Sequence, residues 1–390
     1  MVDQSRPPPI EPFPAAHRTQ DMSWGDLQTI FPFDWDTLNA EMPERVEQLK
    51  RVTRARVGLD HPDLKITQFM LGAGAVFPMH AEGAPGFYHV VGGTGEISVE
   101  GKTQTVAPGT TIRLNPYDQR QIYASADGPL KILWFRWAPD GDQRFITGGY
   151  YLTGANQHIQ PIEAELESDV AFWGETFTTS PVATPSAAIS NPDGSAIFAA
   201  QSVALELAKN SLGADLRPYA EASVFSNESE TNWLDRETLE RANFFWAKDI
   251  KNLGELLTRW SEVMRYKALY QAKRQEAGWD FNMSQMMWGP HARYVEHSHS
   301  IPEFYYMMSG PVEHWIEDEK HTAMPGDIFI TSSYVNHQSQ GITDGVPFRN
   351  ISGSWAPNGD RSVFTRPFFI VEPLLEQSDV IELGSEVGFH

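Results

Sequence analysis

An internal repeat constrains the fold of this chain more than any other feature of its sequence. Phe87–Tyr88 recurs 217 positions later as Phe304–Tyr305. A hexapeptide of the form Trp-Ala-Pro-x-Gly-Asp begins at Trp137 and recurs at Trp355, which is 218 positions later. Because these matches keep almost the same register across a long stretch, they predict a duplicated domain rather than two unrelated ones.

Short apolar or alternating runs, separated by Gly, Pro and Asp, fill both copies of the repeat. Such spacing is typical of an antiparallel β-sandwich or a small barrel. In the first copy the predicted strands are Tyr88–Val91, Gly95–Val99, Thr110–Leu114 and Leu130–Phe135. In the second copy they are Phe304–Met308, Val312–Ile316, Ile328–Thr331 and Phe348–Ser354.

A helical pattern precedes each copy. Before the first, apolar residues at helical spacing are Leu38, Met42, Val46, Leu49 and Val52. Before the second, a helical region is predicted over 236–277, with one apolar face made of Leu239, Trp246, Ile250, Leu253, Leu257, Trp260 and Met264. This periodicity is that of a helix packed on one side. The predicted organisation is a Pro-rich arm over 1–16, a first barrel with its helical lead-in over 17–150, a loop and helical connection over 151–281, and a second barrel over 282–390.

Charge and composition exclude several kinds of partner. Asp and Glu number 51 against 30 Lys and Arg, a net charge of −21, which repels nucleic acids and anionic membranes. Cysteine is absent, so no disulfide, thiolate nucleophile or Cys-type zinc site is available. No apolar run is long enough to span a membrane, and the N-terminus lacks the layout of a signal peptide, so we expect a cytoplasmic protein.

Candidate metal ligands concentrate in the second copy. His297 and His299 are two residues apart, so on a strand their side chains share a face. Glu303 and Tyr305 follow with the same spacing, and His337 ends a later apolar run. Three imidazoles and a carboxylate suit one divalent transition metal ion per chain, such as Fe, Mn, Zn, Co or Ni.

The pattern His297, His299, Glu303 and Gly310 resembles the first motif of the cupin family, and Gly326 with His337 resembles the second. The resemblance implies a mainly β bicupin, which is two double-stranded β-helix barrels of the jelly-roll type. The tyrosine two residues after the glutamate resembles the motif of the dimethylsulfoniopropionate lyase-like cupins. In that family the tyrosine acts as a base or a labile metal ligand, which implies a catalytic role for Tyr305.

Under this interpretation the reaction is a β-elimination that yields dimethyl sulfide and acrylate, with the metal polarising the substrate carboxylate. Aromatic side chains that could contact an onium substrate are Tyr294, Trp315, Tyr334, Trp288 and Trp355. Two alternatives remain open: a non-haem Fe(II) dioxygenase acting on a small carboxylated or aromatic substrate, and a non-redox bicupin isomerase or ligand-binding protein. In each case the expected partners are a small molecule and a second copy of the chain in a homodimer.

The first copy is interpreted as a degenerate barrel. At the positions of His299, Glu303 and His337 it has Glu82, Gly86 and Arg120, and only His80 and Tyr88 persist. A single imidazole beside an arginine is a poor metal site. We therefore expect a structural or dimerisation role for the first barrel.

Overall fold

The computed structural model describes residues 16–17, 22, 24–154, 195–213, 216, 225–227, 264–271, 281–342, 347–365 and 368–370. The chain divides into two compact units. One is Met22–Glu230, called here the N-terminal barrel. The other combines Met1–Asp21 with Thr231–His390 and is called the C-terminal barrel.

Strands dominate both units. The helices are α1 Leu27–Ile30, α2 Trp35–Glu41, α3 Pro43–Val52, α4 Gln143–Ile146 and α5 Ser195–Leu212. The strands are β1 Ala16–His17, β2 Thr53–Asp60, β3 Leu64–Leu71, β4 Val76–Glu82, β5 Gly86–Gly92, β6 Gly95–Val99, β7 Lys102–Val106, β8 Thr110–Leu114, β9 Arg120–Ala124, β10 Leu130–Trp137, β11 Tyr150–Leu152, β12 Phe225–Asn227, β13 Met264–Gln271, β14 Phe281–Trp288, β15 Arg293–His299, β16 Glu303–Ser309, β17 Val312–Ile316, β18 Glu319–Ala323, β19 Ile328–Thr331, β20 His337–Gly341, β21 Phe348–Trp355 and β22 Phe368–Ile370. Short 3₁₀ helices cover Pro139–Gly141, Pro357–Gly359 and Arg361–Thr365.

Each barrel is built from two antiparallel sheets. In the N-terminal barrel the strand orders are β12-β8-β5-β10-β3-β2 and β11-β4-β9-β6-β7. In the C-terminal barrel they are β1-β19-β16-β21-β14-β13 and β22-β15-β20-β17-β18. These orders match strand for strand, which confirms the predicted fold class of two duplicated barrels.

The two copies of the repeat also agree in their strand bounds and backbone conformations. Strands β3 to β7 and β9 recur 217 positions later with identical bounds as β14 to β18 and β20, and β10 recurs 218 positions later as β21. Left-handed backbone conformations recur as well: φ is 61° at Tyr117 and 64° at Tyr334. All eight predicted strands are present, and Gly95–Val99, Thr110–Leu114, Val312–Ile316 and Ile328–Thr331 have the predicted bounds.

The helical lead-in to the first barrel is confirmed as two helices rather than one. Helix α2 ends before Met42, and Pro43 begins α3. Proline suits the first turn of a helix because it has no N–H to donate, but it cannot continue the helix before it. Leu38, Met42, Val46 and Val52 are nonetheless all buried in the apolar core of the N-terminal barrel.

The predicted helix over 236–277 is wrong where the structure describes it, because Met264 begins strand β13. Residues 236–263 and 272–277 of that prediction lie outside the described residues. Strand β13 pairs antiparallel with β14 from Met264 opposite Trp288 to Gln271 opposite Asn282. Hydrogen bonding to β14 stabilises residues 264–271 as a strand. Tyr266 and Tyr270 are residues that favour strands. The helical spacing of one apolar residue could not reveal this tertiary pairing.

Helix α5 lies within the predicted loop and helical connection over 151–281. Its residues Leu205 and Leu212 are buried with Ala81, Tyr117 and Phe145 of the N-terminal barrel. None of the described helices has both the length and the apolar character that crossing a membrane requires.

Candidate metal centre

Strand pairing brings the three candidate histidine ligands together. His297 in β15 lies directly opposite His337 in β20. His299 is two residues further along β15, on the same face as His297. The three rings are 4.1 to 5.5 Å apart between centroids, and one ring nitrogen from each lies within 4.8 Å of the others.

Backbone carbonyls orient two of these rings. Nδ1 of His299 lies 2.7 Å from the carbonyl oxygen of Ile301, and Nδ1 of His337 lies 2.9 Å from that of Val335. Nδ1 must donate in both pairs, so Nε2 carries the lone pair that a metal ligand needs. The Nε2 atom of His337 is buried and has no hydrogen-bond partner within the described part of the chain.

Glu303 completes the cluster from the other sheet. Its Oε2 atom is 3.5 Å from Nε2 of His299, and its Oε1 atom accepts a hydrogen bond from Ser354 at 3.3 Å. Burial raises the pKa of Glu303, but the imidazoles of His299 and His337 and the hydrogen bond from Tyr305 outweigh it and lower the pKa to about 2. The carboxylate is therefore ionised at neutral pH.

The hydroxyl of Tyr305 lies beside this carboxylate. Tyr305 is 2% exposed and donates a hydrogen bond to Oε2 of Glu303 at 2.5 Å. Burial, followed by the negative charge of Glu303 and the nearby Tyr294, raises the pKa of Tyr305 well above its usual value. Without a cation next to it, Tyr305 is a neutral hydrogen-bond donor.

These residues fit a metal ion. The three imidazoles are buried and one nitrogen of each lies within 4.8 Å of the others. With the carboxylate of Glu303 beside His299 they make a donor set that suits divalent transition metals. His297, His299, His337 and Glu303 would hold the ion. Several first-row metals accept these ligands, so the metal's identity does not follow from them.

The aromatic residues proposed to contact substrate do not form one wall. Tyr294 is 4.3 Å from His297 and 4.8 Å from Trp288 between ring centroids. Tyr334 is buried, and its backbone N–H donates to the carbonyl of His299 at 2.6 Å. Tyr294 and Tyr334 therefore contact the histidines directly, and Trp288 contacts Tyr294.

Trp315 and Trp355 lie elsewhere. In β17, His314 is buried in the barrel, and the next residue, Trp315, faces the other side, where Lys320 lies 5.7 Å from its ring. In β21, Ser354 contacts Glu303, so the adjacent Trp355 points away from the cluster. The structure does not bring these two tryptophans to the metal ligands.

Several polar residues at the cluster were not predicted. The ring of His314 is 5.4 Å from that of Tyr305, and its Nδ1 is 2.7 Å from Oγ of Ser339. Ser352 lies opposite Tyr305 in the sheet, and Ser354 reaches Glu303. The signal that could have found them is the repeat itself, since the first copy has large or apolar residues at these positions.

In the N-terminal barrel, an ion pair lies where the C-terminal barrel has its metal ligands. The guanidinium of Arg120 pairs with the carboxylate of Glu82, and both side chains are buried. Nε of Arg120 also donates to Nε2 of His80 at 3.3 Å, and the indole N–H of Trp134 donates to Glu82 at 3.1 Å. Arg120 thus supplies a fixed positive charge at the position of a metal ligand.

This arrangement predicts a pH dependence. Burial, then the charge of Arg120, lowers the pKa of His80 from 6.5 to about 3. In the unfolded chain His80 binds a proton below about pH 6.5, whereas in the folded barrel it does so only below about pH 3. The stability that the neutral His80 contributes is therefore complete above pH 6.5 and is lost as the pH falls. We expect denaturant unfolding to show His80 contributing a loss of about 2 kcal/mol between pH 7 and pH 5. In His80→Gln that part of the pH dependence should vanish; an unchanged pH dependence would contradict the assignment.

Comparison with known families agrees with the C-terminal site. Residues 284–352, which contain all four candidate ligands, match the family described as the cupin domain. This segment is a cupin domain, as the motif resemblance implied. Among curated proteins, no sequence matches this chain significantly.

Several solved structures are similar to this chain at low sequence identity. An oxalate decarboxylase from Lactobacillus farciminis in complex with formate is 10% identical, with 93% of this chain and 90% of that chain covered and a TM-score of 0.48. A variant of the Bacillus subtilis oxalate decarboxylase OxdC is 12% identical, with 89% and 78% covered and a TM-score of 0.49. AerE from Microcystis aeruginosa is 9% identical, with 79% and 95% covered and a TM-score of 0.44.

Proposed function

We propose that the C-terminal barrel is a metal-dependent lyase that removes a leaving group from the carbon β to a carboxylate. The observation that carries this proposal is the hydroxyl of Tyr305, which lies 2.5 Å from the carboxylate of Glu303 in the histidine cluster. The resemblance of the motif names dimethylsulfoniopropionate, or a related onium carboxylate, as the first substrate to test.

The chemistry divides between the ion and the chain. His297, His299, His337 and Glu303 would hold a divalent metal, whose positive charge would bind a carboxylate, acidify the adjacent C–H and favour the phenolate of Tyr305. The protein alone does the reverse, because burial and Glu303 keep the proton on Tyr305. Metal binding therefore decides whether Tyr305 can act as a base.

The remaining steps belong to protein side chains. Glu303 fixes the direction of the Tyr305 hydroxyl through their hydrogen bond. Tyr305 takes a proton from the carbon next to the carboxylate, and the electron pair of that C–H bond forms the new double bond. The bond to sulfur breaks, and the sulfonium leaves with its electron pair as neutral dimethyl sulfide, so the products are dimethyl sulfide and acrylate. No oxidant or reductant is consumed.

Replacing Tyr305 by phenylalanine is expected to leave metal content unchanged and to lower dimethyl sulfide release at least 100-fold, since general-base catalysis contributes about 10²–10⁴. The measurement is headspace gas analysis of the metal-loaded full chain with dimethylsulfoniopropionate, with and without oxygen. Tyr88→Phe is the matched control, because Tyr88 is the repeat-equivalent residue in the N-terminal barrel, and it should keep full activity.

Turnover by Tyr305→Phe at the wild-type rate would remove Tyr305 from the mechanism. Release that depends on oxygen would instead favour the dioxygenase alternative. No release with Fe, Mn, Zn, Co or Ni would reject dimethylsulfoniopropionate as the substrate while leaving the metal site to be tested separately.

A further inference from the structure

The interior of the C-terminal barrel differs from that of the N-terminal barrel in one consistent way. At five equivalent inward positions the N-terminal barrel has Ile97, Ile122, Ile132, Trp134 and Arg136. The C-terminal barrel has His314, Ser339, Asn350, Ser352 and Ser354 there, all buried. The two backbones coincide in strand bounds, so this difference concerns side chains alone.

The N-terminal set fills its barrel. Ile97, Ile122, Ile132 and Trp134 belong to one apolar core, with Phe77 and Tyr88 packed among them. The indole of Trp134 reaches the carboxylate of Glu82, at the position equivalent to a metal ligand. A large ring therefore occupies the space next to the Arg120–Glu82 pair.

The C-terminal set leaves that space to small polar groups. Ser352 has a hydroxymethyl group where Trp134 has an indole, and Ser354 replaces the long side chain of Arg136. Oγ of Ser352 is 2.7 Å from Oγ of Ser284, and Ser354 reaches Glu303 at 3.3 Å. Ser352 and Ser354, together with His314 and Asn350, are called here the polar wall of the C-terminal barrel.

Two polar atoms of this wall are unsatisfied. Nε2 of His314 and Oδ1 of Asn350 are buried and make no hydrogen bond to any residue that the structure describes. His314 is held by Ser339 through its other nitrogen, so its ring is fixed with Nε2 available. Buried polar atoms without partners cost free energy, which a ligand with matching groups recovers.

We infer that His314, Asn350 and Ser352 form a hydrogen-bonding subsite that selects carboxylate ligands carrying hydroxyl groups away from their acid end. The inference rests on the proposed function in one respect, which is that the carboxylate faces His297, His299 and His337. It refines the substrate class, because a dialkyl sulfonium group offers no hydrogen-bond donor to this wall.

The elimination remains balanced with such a ligand. A 3-hydroxy carboxylate loses a proton from the α carbon and hydroxide from the β carbon, and the two combine as water. The products are an α,β-unsaturated carboxylate and water, with no other reactant. The class predicted is therefore a polyhydroxylated carboxylic acid.

Calorimetric binding to the Mn²⁺-loaded full chain tests this inference with pentanoate and 4,5-dihydroxypentanoate. Neither compound has a leaving group on its β carbon, so neither is consumed. We expect the dihydroxy compound to bind at least tenfold more tightly than pentanoate, and also more tightly than dimethylsulfoniopropionate. Equal or reversed affinities would overturn the inference.

Variants assign the preference to the wall. His314→Ile and Asn350→Ile introduce the residues that the N-terminal barrel carries at these positions, and each should reduce the preference at least fivefold by weakening the dihydroxy compound only. Glu313→Gln is the matched control, since Glu313 lies on the other face of β17 and pairs with Lys320 at 2.8 Å. If either isoleucine variant fails to fold, Ser352→Ala provides the same test with a smaller change.

A preference that survives all three changes in the wall would contradict the inference. Turnover does not enter these measurements, so they remain informative if the elimination itself is disproved. Conversely, loss of the hydroxyl preference would leave the test of Tyr305 unaffected.

Discussion

Replacing His337 by alanine is expected to weaken metal binding at least 100-fold and to abolish activity while the barrel stays folded. His337 lies at the centre of the cluster, opposite His297 in the sheet and 5.0 Å from His299 between ring centroids. Removal of residues that only support metal ligands already costs about 10–100-fold in affinity, so loss of a ligand should cost more. Metal content after dialysis and titration calorimetry measure the effect.

His321→Ala is the matched control for this variant. His321 belongs to the same barrel, but it lies on β18 and pairs with Glu319 at 3.7 Å rather than with the cluster. Its loss should leave metal content unchanged. Wild-type metal content in His337→Ala, or equal losses in both variants, would show that the cluster does not hold the ion.

Replacing Glu82 by glutamine should destabilise the N-terminal barrel by about 3–5 kcal/mol, because it leaves the guanidinium of Arg120 buried without its counter-charge. Arg120 is fully buried, and Arg136 is a second buried cation whose NH1 lies 4.0 Å from Glu82. His80 does not replace the lost negative charge or add to the loss, because burial and the charge of Arg120 lower its pKa and keep the ring neutral. Denaturant unfolding followed by tryptophan fluorescence measures the change.

A double variant separates the ion pair from packing. Replacing Glu82 and Arg120 together by leucine removes both charges, and replacing a buried pair by apolar residues is often neutral or stabilising. We expect this variant to recover only part of the lost stability, since the buried guanidinium of Arg136 also loses the charge of Glu82. The control Glu96→Gln alters an exposed carboxylate of the same barrel and should change stability by less than about 0.5 kcal/mol. A Glu82→Gln effect as small as that of Glu96→Gln would contradict the assigned role.

The repeat made the barrels predictable, because one alignment located equivalent strands in both copies. The strands that lie outside it were missed. Strand β13 is equivalent to β2 by its pairing with β14, but their separation is 211 positions rather than 217, since nine residues separate β13 from β14 and three separate β2 from β3. An alignment of the two copies at a constant offset cannot follow an insertion, so it did not locate β13. The apolar spacing around Met264 favoured a helix instead.

Alternation along β15 places the candidate ligands His297 and His299 on one face, whereas Glu303 on β16 and His337 on β20 lie on other strands and were supported by the motif resemblance. The residues of the proposed substrate wall were harder to identify from the sequence. Strand β21 is buried on both faces, so apolar and polar residues along it do not reveal which side faces the barrel interior. The prediction that Trp355 contacts substrate is therefore wrong in its side of the strand, since the neighbouring Ser354 is the residue that reaches Glu303.

The edges of the barrels have a consequence for how this chain can be divided. Strand β1 comes from the beginning of the chain, yet it pairs with β19 of the C-terminal barrel, next to β16 with its Glu303 and Tyr305. The matching edge of the N-terminal barrel is covered by β12, which follows that barrel in sequence. A fragment that starts at residue 231 would retain the four metal ligands but leave β19 as an open, apolar edge, a template for pairing with other chains. The repeat in the sequence therefore does not coincide with the C-terminal compact unit, which takes one of its edge strands from the start of the chain.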